Sequence, residues 1–151
     1  MLERPRHDRI VDSLNSIGVK INFISDGDVL GVISVDDPKS NIDIYLGTGG
    51  APEGVLAAAA LSCLNSQMQA RLVFQDNDEK NRAKKMGIKE LNIKYNMNDI
   101  VKGDVIFCAT GVTDGYLVKG IKDLGDFFEA ETIALHKSSN TNKTIKNKIK
   151  K

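Results

Sequence analysis

The apolar positions change period several times along the chain. Behind an extended "ERPR", Ile10, Val11, Leu14 and Ile17 recur at helical spacing. Asp8 supplies an acid for the first turn and Gly18 a stop, which predicts a short amphipathic helix over 8–16. The run "VKINFIS" (19–25) predicts a buried strand ending in the turn "DGD". "VLGVISV" continues as either a short helix or a weak strand, and "DDPKSN" is a loop. "IDIYL" (42–46) predicts a second strand, followed by the glycine loop "GTGGAPEG" and a helix over 53–64. The small and apolar residues of that helix surround it almost completely, so it requires burial against a sheet. Further on, "MQARLVF" predicts a third strand and "NDEKNRAKKMG" a polar helix ending at Gly87. "DVIFCAT" (104–110) predicts a strand feeding the turn "GVTDG", and "AETIALH" a last strand.

Strands alternating with helices predict an α/β fold, a largely parallel or mixed sheet flanked by helices. Ligands of such sheets gather beyond the carboxyl ends of the strands. Three turns are expected there: "SDGD", "GTGGAPEG" and "ATGVTDG". No internal repeat links them, since their similarity stops at their flanks.

Composition and charge narrow the picture. A chain of 151 residues, 41% hydrophobic, is long enough for one core of its own. No apolar run approaches a membrane span, and "MLERPRHDR" is too charged for a signal peptide, so the cytoplasm is the expected compartment. Cys63 and Cys108 lie in separate apolar segments and are expected to be buried thiols. With only His7 and His136 beside them, a zinc site built from His and Cys is not expected, and any metal would be a hard cation on oxygen ligands. The net charge of +1 conceals an acidic body, because "HKSSNTNKTIKNKIKK" (136–151) holds six lysines and no acid. That segment reads as a basic, disordered tail behind a lobe spanning 1–135. Without aromatic interleaving it does not read as a nucleic-acid site.

The candidate chemistry lies in the turns. In "GTGGAPEG", glycines allow close backbone approach to a ligand, Pro52 suits a first helical turn, and Glu53 stands where the helix dipole favours negative charge. The loop lacks the Gly-Lys-Ser/Thr of a phosphate-binding loop and the third glycine of a dinucleotide fingerprint. Its structural alternative is a tight turn with an acidic first helical turn. "SDGD" presents Asp26 and Asp28 about Gly27, for a cation or for sugar hydroxyls, or else as an ordinary Asp-Gly turn. Pro5 pushes Arg4 to extended geometry. If Arg6 is extended too, Arg4 and Arg6 project to one side as a phosphate clamp. Together these are the parts of a metal-assisted sugar-phosphate site.

On "RPRHDRIVDSLNSIGVKINFISDGDV", "GTGGAPEGVLAAAALSCLNSQMQARL" and "VIFCATGVTDG", in that order and spacing, the chain resembles the C-terminal part of the class II fructose-1,6-bisphosphatases, members of the lithium-sensitive sugar phosphatase superfamily. The resemblance covers residues 2 to about 120. It implies hydrolysis of the 1-phosphate of fructose 1,6-bisphosphate with Mn2+ or Mg2+, in gluconeogenesis and glycerol metabolism. Some relatives also accept sedoheptulose 1,7-bisphosphate, and the complete enzyme is expected to be a homo-oligomer. By motif, Arg4, Pro5 and Arg6 match the basic substrate-binding segment, Asp26, Gly27 and Asp28 the substrate-binding turn, Gly50 a substrate-contacting glycine, and Glu53 a metal ligand.

Two departures carry consequences. The family's enzymes are much longer, with most metal ligands on an N-terminal half that this chain lacks, and Asp37-Pro38 is followed by "KS" rather than the superfamily's metal motif. The lysine-rich tail also replaces a more regular ending. Glu53 alone is a thin ligand set, so little or no phosphatase activity is expected without the N-terminal half, and an apolar face is expected to stand exposed. The alternative is a non-catalytic sugar-phosphate-binding or interaction remnant of a decayed gene.

Overall fold

The computed structural model describes residues 1–151, except for the side chain of Asp28. Pro5 opens a 3-10 turn, Pro5–His7, where its fixed φ and missing N–H suit a first helical position. Helix α1 (Asp8–Ser16) follows at once, and the left-handed Gly18 (φ +74°) ends it. Helix α2 (Asp28–Ile33) settles the helix-or-strand alternative at "VLGVISV" and runs on into a 3-10 turn, Ser34–Asp36. Helix α3 (Ala51–Cys63) begins with Ala51 and Pro52 rather than at Glu53.

Helix α4 (Asn77–Lys85) is held at its start by Asp76, whose Oδ1 accepts from the Glu79 amide at 2.8 Å. Glu79 reaches back to accept from the Gln75 amide, also at 2.8 Å. Before and after α4 lie strands β1 (Gln69–Ala70) and β2 (Tyr95–Asn96), which pair antiparallel. The short α5 (Met97–Ile100) starts from a capping box formed by Asn96 and Asp99.

The larger sheet contains β3 (Ile106–Thr110), β4 (Lys122–Asp123), β5 (Phe127–His136) and β6 (Thr141–Lys150). Strand β5 is its axis, pairing with β3 and β4 and, along its whole length, with β6. All these pairings are antiparallel. The expected α/β class holds, while the sheet expected as largely parallel or mixed is found as antiparallel ladders, the isolated bridge Leu2–Ile24 being the parallel pairing among the described residues. The connections explain the change. A turn at 137–140 joins β5 to β6, and a glycine loop rather than a crossover helix joins β3 to the β4–β5 region.

Three further expectations are corrected. The basic segment 136–151 is not a disordered tail, since His136 ends β5 and Thr141–Lys150 forms β6. Two of its lysines stand opposite acids, with Glu129 facing Lys148 and Glu131 facing Lys146 in register, the latter pair 3.7 Å apart. The segments 19–25 and 42–46 form no ladder among the described residues beyond the bridge at Ile24, and "MQARLVF" contracts to β1. Without a neighbouring strand some of their apolar side chains stand exposed, Phe23 at 48% and Ile44 at 61%. Finally, only Cys63 of the two cysteines is buried. Alternation along β3 turns Phe107 inward and Ile106 and Cys108 outward.

The core gathers Ile33 of α2, Ala60 and Cys63 of α3, Phe107 of β3, Val118, and Ile133 and Leu135 of β5. Helix α3 is therefore pressed between α2 and the larger sheet by its C-terminal half. Its first turns behave differently, because Val55 and Leu56 remain about half exposed. Burial raises the pKa of the Cys63 thiol, whose Sγ lies 3.5 Å from the Val105 carbonyl oxygen.

Candidate functional site

Three of the sequence motifs meet at the N-terminal end of the chain. Arg4 is extended (φ −146°, ψ 141°), and its guanidinium donates to the carbonyls of Glu3 at 2.9 Å and Ser25 at 2.8 Å. It thus ties the "RPR" segment to the residue before Asp26. Arg6 donates through Nε to the Thr48 carbonyl at 2.6 Å, inside the glycine loop. The two arginines therefore bridge from one segment to both loops. The premise of two extended residues projecting to one side is corrected, because Pro5 starts a helical turn that contains Arg6.

In the "SDGD" turn, Gly27 adopts a left-handed conformation (φ 88°, ψ 61°) that a side chain would strain. Asp26 is exposed, and its Oδ1 accepts from the Gly27 amide at 2.8 Å. The carboxylate thereby rigidifies the turn. Asp28 begins α2, and its side chain lies outside the described residues. Gly31 brings α2 against the neighbouring segments so closely that a Cβ there would stand 2.6 Å from Ile24 Cδ1 and 2.8 Å from Tyr45 Cε2.

Gly50 precedes α3 in extended geometry, and its carbonyl accepts the Gly54 amide at 3.1 Å. Glu53, exposed in the first turn, curls back so that a Cβ on Gly50 would overlap its Oε2. The carboxylate therefore lies over the loop, at the end of α3 where the helix dipole favours it. The third turn, "GVTDG", stands beside α2, with a Cβ on Gly115 reaching 3.7 Å from Leu30 Cδ2. Asp114 accepts the Gly120 amide at 2.9 Å and closes that loop on itself. Tyr116 donates to Asp37 at 2.5 Å, an interaction that lowers the Asp37 pKa and raises that of Tyr116.

The oxygen donors here fall short of what a divalent cation requires. Among the described residues, no group of three or more His, Cys, Asp or Glu side chains is placed to hold a metal ion. Asp26 is turned to its own backbone, which among the described residues leaves Glu53 as the carboxylate lying over the loop. One carboxylate does not fit the oxygen shell of Mg2+ or a two-metal site, so these residues alone do not constitute a metal centre.

His7 is the link between these segments that motif reasoning missed. It is buried, at 1% exposure, and joins Leu2 to Thr48 through its two ring nitrogens. Its place directly after "RPR" was the available signal. Among the described residues, no helix is long and apolar enough to cross a membrane.

The family described as bacterial fructose-1,6-bisphosphatase, glpX-encoded, matches residues 1–149. The chain is 37% identical over 159 residues to the fructose-1,6-bisphosphatase class 2 of Haemophilus influenzae, covering 96% of this chain and 47% of that protein. It is 36% identical over 159 residues, with the same coverage, to the fructose-1,6-bisphosphatase 1 class 2 of Escherichia coli and to the class 2 enzyme of Shigella flexneri. The chain spans about half the length of the curated relatives it matches. Matched along nearly all of its residues, it belongs to the bacterial, glpX-encoded fructose-1,6-bisphosphatase family.

Proposed function

We propose that this chain is the C-terminal, substrate-binding part of a phosphatase that hydrolyses the 1-phosphate of fructose 1,6-bisphosphate with Mn2+ or Mg2+ in gluconeogenesis. The observation that carries this reading is the convergence of Arg4 and Arg6 on the "SDGD" and "GTGG" loops. Each guanidinium keeps N–H groups beyond those used on carbonyls, the donors a phosphate needs. The Asp26–Asp28 turn takes sugar hydroxyls, Gly50 leaves the loop floor open, and Glu53 contributes one ligand to a cation whose other ligands come from an N-terminal half. The metal supplies charge neutralisation and an activated water when bound. This chain's own residues bind and orient the sugar phosphate. The exposed Phe23, Ile44, Val55 and Leu56 support a role as one half of a larger body.

The test is manganese-dependent phosphate release from fructose 1,6-bisphosphate. It is measured on this chain alone and after mixing with the N-terminal half of a full-length relative. Release only in the mixture, lost in Glu53→Ala, is the expected result. Release by the isolated chain would overturn the incomplete ligand set. A second reading, a non-catalytic sugar-phosphate-binding module, is favoured by the absence of a metal-ligand cluster among the described residues. Saturable binding without release, with both halves folded and associated, would select it.

A further inference from the structure

We infer that His7 is a positioning residue for the proposed sugar-phosphate site, a neutral imidazole that fixes the glycine loop by holding the Thr48 amide. This inference rests on the functional reading above, but its geometry stands apart from it. His7 and Ser62 are the buried polar side chains among the described residues. Ser62 is satisfied within its own helix, by the Ala59 carbonyl at 2.8 Å. His7 instead spans the chain, with partners 5 and 41 residues away.

Its protonation pattern follows from those partners. Nδ1 lies 2.8 Å from the Leu2 carbonyl oxygen, which only accepts, so Nδ1 carries the proton. The Thr48 amide only donates, and it points at Nε2 at 2.8 Å, so Nε2 is bare. Nε2 also lies 3.3 Å from the Thr48 carbonyl oxygen, but that oxygen already receives the Arg6 Nε at 2.6 Å. The shorter contact and the engaged carbonyl both assign Nε2 to the amide. Consecutive side chains of one 3-10 turn thus take up both backbone polar groups of Thr48. In a segment with no strand ladder, these are the bonds that define where the backbone runs.

The consequence reaches the site in both directions. Leu2 is bridged to Ile24, and Glu3 donates to the Ile24 carbonyl at 3.1 Å, so the anchor on one side of the ring belongs to the approach to "SDGD". Beyond Thr48 on the other side lie Gly50 and the start of α3, with Glu53 over the loop. The imidazole therefore sets the spacing between the Asp26 turn and the Gly50–Glu53 turn. A neutral imidazole suits the task because it offers one donor and one acceptor on a rigid ring.

The test uses the full chain labelled with 15N. Imidazole nitrogen shifts should report the Nδ1–H tautomer, and a coupling across the hydrogen bond should link the Thr48 nitrogen to Nε2. In His7→Ala, amide exchange at Thr48, Gly49 and Gly50 should rise by about tenfold or more while the α3 core amides keep their protection. Binding of fructose 1,6-bisphosphate should weaken by about tenfold, the loss expected for one buried hydrogen bond. His7→Gln, which keeps a donor and an acceptor, should recover most of both. An Nε2–H tautomer, or no coupling to Thr48, would overturn the inference even if the variants fail to fold. Unchanged binding in a folded His7→Ala chain would overturn the positioning role alone. No binding by the unsubstituted chain would overturn the functional reading and the substrate role with it, and an intact coupling would show that the His7–Thr48 hydrogen bond was not the cause.

Discussion

Replacing Gly31 by alanine sets helix propensity against packing, and the geometry decides the sign. Inside a helix, alanine is favoured over glycine by about 0.8–1 kcal/mol. At Gly31 of α2 the added Cβ would stand 2.6 Å from Ile24 Cδ1 and 2.8 Å from Tyr45 Cε2, where ordinary contact begins at 3.4 Å. The Ile24 methyl can turn aside, but the planar Tyr45 ring must retreat as a body by roughly half an ångström. Overpacking of this kind costs about 1–3 kcal/mol, so the net expectation is destabilisation by about 1 kcal/mol. Gly54 of α3 is the internal control, since a Cβ there meets nothing within 4 Å. Gly54→Ala should stabilise by about 0.5–1 kcal/mol. Urea unfolding followed by circular dichroism gives both midpoints, and the two should move in opposite directions. On the proposed sugar-phosphate reading, the Gly31 change should also weaken fructose 1,6-bisphosphate binding, because pushing α2 away from Tyr45 displaces the Gly27 turn from the loop that follows Tyr45. Stability of Gly31→Ala equal to or above the unsubstituted chain would refute the reasoning.

Two other outcomes follow from the larger sheet. His136 and Ser138 hold the Asp104 carboxyl down at about 2 from its ordinary 3.8, with His136 Nε2 at 2.8 Å from Oδ2. A depressed folded-state pKa contributes stability above the unfolded value, and that contribution is lost as pH falls from about 4 through about 2. In His136→Ala the Asp104 carboxyl should titrate nearer 3.8 by 13C NMR, and an unmoved titration would discount the contact. Deleting residues 137–151 should lower hydrogen-exchange protection at those β5 amides that face β6, while Phe107 in β3, on the other edge of β5, stays protected. Unchanged exchange in β5 would mean that the basic segment is the solvated tail its composition suggests.

How much was legible depended on how local each determinant was. Helices α1 and α4 carry their own stop and cap signals at Gly18, Asp76 and Gly87, and β3 and β5 carry apolar runs, so all four could be read from their own residues. The site's residue types were legible for the same reason, because "RPR", "SDGD" and "GTGGAPEG" advertise their chemistry locally. What joins them was not. Arg4 to Ser25 and His7 to Thr48 are bonds across 21 and 41 residues, and no periodicity encodes them. Strand status is likewise a property of pairs. "VKINFIS" and "IDIYL" have strand-forming composition yet no ladder among the described residues, whereas "TNKTIKNKIK" has the composition of a loop and forms a strand. The difference is the partner. Strand β5 offers β6 a complete register, with Phe127 opposite Lys150 and His136 opposite Thr141, and its Glu129 and Glu131 face lysines. The same lysines that lower the apolar content of β6 guard its outer edge, since charged side chains discourage pairing with another chain. Low hydrophobicity in a terminal segment therefore does not by itself argue for disorder when an acidic, unpaired strand edge lies within hairpin reach.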